Sequence, residues 1–163
     1  MAEQPISLLP YYQGWDTYQA LLIKAVEPLS PDQLSLRAAP HLRSIGENAA
    51  HIVGTRAGWL YFQLEMGGES MVSLAKWNMP DQPARSAAEL VNGLEATWHV
   101  IQDTLSHWTF ADLSGIVHDT DENGVEQIYT RQWVIWHLIE HDLHHGGELS
   151  FTLGMYGLMG ITI

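Results

Sequence analysis

Apolar residues recur along this chain at intervals of three and four, the period that lines one face of a helix. The first such segment runs from about Leu8 to Val26, with Tyr11, Trp15, Tyr18, Leu22 and Ala25 on one side. A second opens at Ser44, because Ser44-Ile45-Gly46-Glu47 has the form of a capping box, in which the serine and glutamate side chains each satisfy a free backbone N–H. Its seam reads Ile45, Asn48, Ile52, Thr55, Trp59, Phe62 and Met66, and Gly67-Gly68 ends it. A polar, proline-containing stretch to about Arg85 reads as loop. Another capping box, Ser86 to Glu89, starts a third helix through Leu90, Leu94, Thr97, Ile101, Leu105 and Trp108. The texture then changes. Ile116-Val117-His118 and Val125 to Tyr129 flank Asp121-Glu122-Asn123-Gly124, which predicts a short β-hairpin around an Asn-Gly turn. The fourth helix spans about Thr130 to Leu153 and stops at Gly154.

These segments predict an all-α four-helix bundle with one long crossover and a β-hairpin between helices 3 and 4. No repeat, low-complexity tract or linker divides residues 1–163, so a single domain is expected. The 46% hydrophobic content supports a globular core.

Composition narrows the chemistry. There is no cysteine, which removes disulfides and thiolate metal sites and leaves histidine and carboxylate as the strong ligands. The net charge of −12 leaves too few cations for a basic face, so nucleic acid is not expected as a partner. Met1-Ala2-Glu3-Gln4-Pro5 lacks the basic start and apolar run of a signal peptide, and no stretch is long enough to cross a bilayer. A soluble cytoplasmic protein is the expectation.

Nine histidines are many for this length, and four of them lie between residues 137 and 145. On the fourth helix the seam is read as Val134, Leu138, His141, His145, then Glu148 or Leu149. Two imidazoles then stack one turn apart, close enough to share an ion. They can equally be core histidines satisfied by hydrogen bonds. His51 is the candidate third ligand from a facing helix, beside Asn48 and Thr55, which are polar where a plain bundle has Leu or Val. Taken alone, His51 reads better as an ordinary surface histidine beside a slightly polar seam. His137 and His144 fall on an exposed flank with Glu140 and Trp133, and His41, His99, His107 and His118 read as surface residues. The match of His137-Leu138-Ile139-Glu140-His141 to the inverzincin pattern is set aside, because only 22 residues follow His141 and a distant glutamate ligand is needed. A ferritin-like di-iron site fails because no Glu-x-x-His pair occurs.

The capped second helix with a central histidine (Ser44 to His51) and the run His141-Asp142-Leu143-His144-His145-Gly146-Gly147-Glu148-Leu149 resemble the DinB-like (YfiT-like) family, proposed metalloenzymes unrelated to the DNA polymerase of similar name. The resemblance covers nearly the whole chain. It implies a metal triad of His51, His141 and His145 and one divalent ion per chain, with zinc or nickel expected. It further implies a metal-dependent transferase that moves a low-molecular-weight thiol onto a small-molecule electrophile; helical phase, not the resemblance, picks Asn48, Thr55 or Glu148 as candidate supporting or substrate-orienting residues. The alternative is a non-catalytic, metal-stabilised binding or stress-response module. Members of that family commonly carry Arg-Gly-Gln after the last histidine, where this chain has Gly146-Gly147-Glu148. The aromatic residues Tyr11, Tyr12, Trp15 and Trp59 either wall a pocket near the ion or pack the core. A second apolar strip, Ile135, Ile139 and Leu143, and an uncharged tail from Gly154 to Ile163 suggest a homodimer.

Overall fold

The computed structural model describes residues 6–121 and 123–163. Six α-helices make up most of these residues: α1 (Gln13–Val26), α2 (Pro31–Leu34), α3 (Ile45–Gly58), α4 (Glu69–Ala75), α5 (Ala87–His107) and α6 (Arg131–Met155). The four long ones form the expected bundle. Helix α3 packs on α5 and α6, and α1 packs on the same two from the other side. Both capping boxes form as read, at Ser44 with Glu47 and at Ser86 with Glu89.

The hairpin also forms, from β1 (Ile116–Thr120) and β2 (Glu126–Thr130), paired from Ile116↔Thr130 to Thr120↔Glu126. Asp121 closes it by accepting from Asn123 and Val125 N–H, and Gly124 supplies the left-handed φ of 77° that the turn requires. Glu122, part of the expected turn, and Met1–Pro5 lie outside the described residues.

Three readings change. The stretch before Arg85 is not all loop: it contains α4 and a 3-10 turn, Lys76–Asn78, both laid against α3. Apolar Met71, Leu74 and Ala75, at helical spacing, drive that docking. A short helix, α2, stands where none was expected, capped by Ser30 and Gln33. Past Gly58 the second helix widens into a π-turn, Trp59–Gln63. The extra residue in that turn rotates everything after it. Leu60 and Leu64 therefore take the buried positions, and Phe62, read as seam, is 60% exposed.

The middle of the fourth helix is rotated too. Its buried line keeps the expected Val134, Leu138 and Leu149, but between them it runs through Asp142 and Gly146, one residue later than His141 and His145. The strip Ile135–Ile139–Leu143 is split by the same rotation: Ile135 is core, Ile139 packs partly against it, and only Leu143 is exposed. Among the described residues no helix is long and apolar enough to cross a membrane.

Asp142, at the centre of that line, has 0% exposure and meets Arg56 of α3, also at 0%. Arg56 donates through Nε to Oδ1 at 2.9 Å and through Nη2 to Oδ2 at 2.6 Å. Its Nη1 donates to Gln19 Oε1 at 2.7 Å, and Gln19 in turn donates to the Leu94 carbonyl at 3.1 Å. Trp15 Nε1 donates to Asp142 Oδ2 at 2.6 Å. All four long helices thus meet in one buried polar knot. Removing one partner strands a buried charge. Asp142→Ala or Arg56→Ala should therefore lower the unfolding free energy by about 3–5 kcal/mol in urea titrations. The double replacement Arg56→Met with Asp142→Leu should cost less than either single one. A double variant as unstable as the sum of the singles would refute the coupling.

Candidate metal centre

Helix α3 presents His51 from its middle, and α6 presents His141 and His145 one turn apart, on the edge of its buried line. The structure brings the three together. The ring centroids are 4.8 Å apart for His51–His141, 4.5 Å for His51–His145 and 4.4 Å for His141–His145. One nitrogen from each lies within 4.8 Å of the others, a grouping that can hold a metal ion. His51 Nε2 and His141 Nε2 approach to 3.1 Å.

Neighbouring side chains decide which nitrogen of each ring carries a proton. His51 Nδ1 sits 2.9 Å from Asn78 Oδ1, which can only accept, so this nitrogen donates. That orientation of Asn78 is secured because its amide donates to Thr55 Oγ1 at 3.0 Å. His145 Nδ1 donates to Glu148 Oε2 at 2.7 Å. In both rings the proton is held on Nδ1, and the Nε2 lone pair is left free. Metal-binding histidines are commonly oriented in this way. The donor set of three imidazoles fits a divalent transition metal. His141 Nδ1 is buried and has no partner among the described residues.

The site favours the neutral form of His51 and His141. Burial pushes His51 down to about 4, with Arg43 and His145 adding to it and the Asn78 bond opposing it. Burial, then the neighbouring His145 and His51, pushes His141 down to about 3. Neutral imidazole is the form that binds metal. Burial raises Glu148, but the bond and charge of His145, the charge of His144 and the Asn48 amide outweigh it and hold this carboxyl below its ordinary value.

All three supporting candidates therefore touch the site or its supports. Glu148 holds His145, Thr55 holds Asn78, and buried Asn48 lies against Glu148 with its Oδ1 unpartnered among the described residues. Asn78 was missed, since it falls in the stretch read as loop. Its docking depends on Gly54, where a Cβ would lie 2.7 Å from the Asn78 side chain. Arg56 and Asp142 were also missed, although the 3-4 spacing of Leu138, Asp142, Gly146 and Leu149 carried the signal. Gly146 itself has no room for a side chain, because a Cβ there would sit 2.2 Å from the Tyr18 hydroxyl. An arginine at that position cannot fit this packing.

Of the aromatic candidates, only Trp59 stands near the histidines. It packs on His137 at 4.9 Å and on Trp133 and Tyr129, while Trp133 stacks on His137 at 5.0 Å with ring planes 7° apart. His137 is 6.1 Å from His141, so this wall borders the site without joining the triad. Tyr11, Tyr12 and Trp15 instead line a separate cavity of about 300 Å³ with Ile139, Leu143 and Ile163. His41, His99, His107 and His118 are exposed, as read.

Two solved structures share this architecture. A DinB-like protein from Bacillus cereus is 23% identical with a TM-score of 0.72, over 98% of this chain and 99% of that one. A DinB-like protein from Bacillus subtilis, YjoA, is 18% identical with a TM-score of 0.62, over 96% of each chain. At these identities the likeness is one of fold. No curated protein matches the chain. The sequence profile of the DinB superfamily matches residues 15–149, a span that includes all three clustered histidines, and the chain belongs to that superfamily.

Proposed function

We propose that this protein holds one divalent ion, zinc or nickel, on the Nε2 atoms of His51, His141 and His145, and that it transfers a small thiol to a small electrophile. The observation that carries the metal reading is the convergence of three half-buried imidazoles from two helices, two of them with Nδ1 already bonded. An ion on three protein ligands keeps an open position and lowers the pKa of a thiol or water bound there. The protein's own part is orientation and exclusion of water. Asn78 and Glu148 fix two rings, the Trp59–Trp133–His137 wall shields one side, and buried Asn48 steadies Glu148. Thiol transfer is supported by the family resemblance.

Untagged protein should contain one ion per chain by elemental analysis, and His51→Ala and His145→Ala should lose it. Asn78→Ala and Glu148→Ala should retain it with about 10–100-fold weaker affinity, the usual cost of losing a support of a metal-bound histidine. Parent protein that binds no stoichiometric metal would end the proposal.

The competing reading makes the ion a staple for a non-catalytic module. The buried Arg56–Asp142 knot and three clusters of buried apolar residues tie the bundle without the ion, which favours the enzyme reading. Chelation should therefore abolish transfer of a thiol to an electrophile such as a chlorodinitrobenzene while leaving the far-ultraviolet dichroism intact. Cooperative unfolding on chelation would favour the staple.

The outer face of α6 exposes Trp136, Leu143, Phe151 and Met155, which supports a homodimer. Light scattering should give twice the chain mass at micromolar concentration, and a single-chain mass would remove the dimer.

A further inference from the structure

A groove of about 910 Å³ opens beside the histidine cluster, and His51 and its partner Asn78 are among the residues that line it. That size suits a drug-sized molecule. Pro31, Leu34, Ala50, Trp77, Met79 and Pro83 give it apolar walls. Three of the chain's five arginines, Arg37, Arg43 and Arg85, line it together with three carboxylates, Glu47, Asp81 and Glu89, in a chain that carries a charge of −12.

Two of those arginines are engaged. Arg37 is clamped on Glu47, at 2.6 Å and 2.5 Å, and also donates to the Leu42 carbonyl. With the bridge between Arg37 and Ser44, this pair closes the loop that carries Arg43. Arg85 lies over the Trp77 ring at 4.7 Å and within 3.6 Å of Glu89. Arg43 is different. Among the described residues it makes no ion pair and no side-chain hydrogen bond, yet it lines the same groove as His51. Its charge reaches the cluster, where it adds to the lowering of both His51 and His141.

We infer that the groove binds the substrate, and that Arg43 receives a carboxylate on that substrate while the apolar walls hold its body. The inference deepens the metal-centre reading and rests on it for the identity of the reacting end. One unengaged guanidinium matches one negative charge, which selects a monocarboxylate over a dianionic phosphate ester. An ion on three neutral imidazoles would add two positive charges beside Arg43, more than the nearby Glu148 and Asp81 carboxylates balance, and an anionic substrate offsets the remainder. The stacked Arg85–Trp77 pair, whose Arg85 Nε is buried and unpartnered among the described residues, supplies a flat platform for the body of the ligand.

The test uses the full zinc-incubated chain and its Arg43→Gln variant, with phenylacetate and its uncharged amide, phenylacetamide, as probes. Binding is followed through the Trp77 indole N–H signal, and zinc content is measured on the same samples. Phenylacetate should bind about tenfold more tightly than the amide to the parent, as expected for a charge-assisted hydrogen bond at a partly open site. The variant should lose that preference and keep its zinc. Because a carboxylate can also meet the ion directly, the comparison between parent and variant isolates Arg43. A preference that survives in the variant, or no preference in the parent (including no binding of either probe), overturns the inference. A preference lost on substitution in protein that takes up no zinc upholds the groove and defeats the metal reading instead.

Discussion

The arrangement of this bundle depends on a pair of charges that water cannot reach. Arg56 and Asp142 each have 0% side-chain exposure. Desolvating two ions costs several kcal/mol apiece, and the pair returns that only when every remaining donor and acceptor is met. Here Gln19, Trp15 and the Leu94 carbonyl meet most of them. Such a knot adds less stability than a greasy replacement of equal volume. What it does is specify register, because sliding α3 along α6 by one turn would leave both charges unpaired in an apolar interior.

That register is also the geometry of the histidine cluster. His51 lies five residues before Arg56 on α3, and His141 and His145 flank Asp142 on α6. Wherever the ion pair locks, the imidazoles are carried with it. Close convergence, with the ring centroids 4.4–4.8 Å apart, therefore follows from helix-to-helix registration rather than from attraction among the rings themselves. With Asn78 holding the His51 proton on Nδ1, His141 Nε2–H can donate to His51 Nε2 at 3.1 Å, and a cation bound by the rings would take the place of that hydrogen bond.

Much of this was legible because it is local. Capping boxes at Ser44 and Ser86, the Asn-Gly hairpin and the i, i+4 histidines each depend on residues within a few positions of one another. What escaped was set by tertiary packing. The π-turn at Trp59–Gln63 leaves no local composition mark, so Phe62 was assigned inward. Asn78 joins the site only because α4 docks and Gly54 admits a close approach. Asp142 was passed over for another reason: a charge at a core position looks like a misphased helix until its partner 86 residues away is known. Drawing the seam through the histidines placed them at its centre, one residue out of phase.

The phase error has a chemical consequence. Had the histidines occupied the middle of the buried line, an ion there would be walled in on all sides, as in a closed structural site. They stand instead on its edge, half-buried, with the middle taken by the ion pair. His51, His141 and His145 would hold an ion there beside the groove that His51 also lines, and with only three protein ligands the ion would keep a position for an incoming molecule. Burial at the edge is still enough to keep His51 and His141 uncharged at neutral pH. A core fastened by Arg56 and Asp142 thus frees the histidines from any duty in holding the fold. Side chains with no such duty can be kept for chemistry.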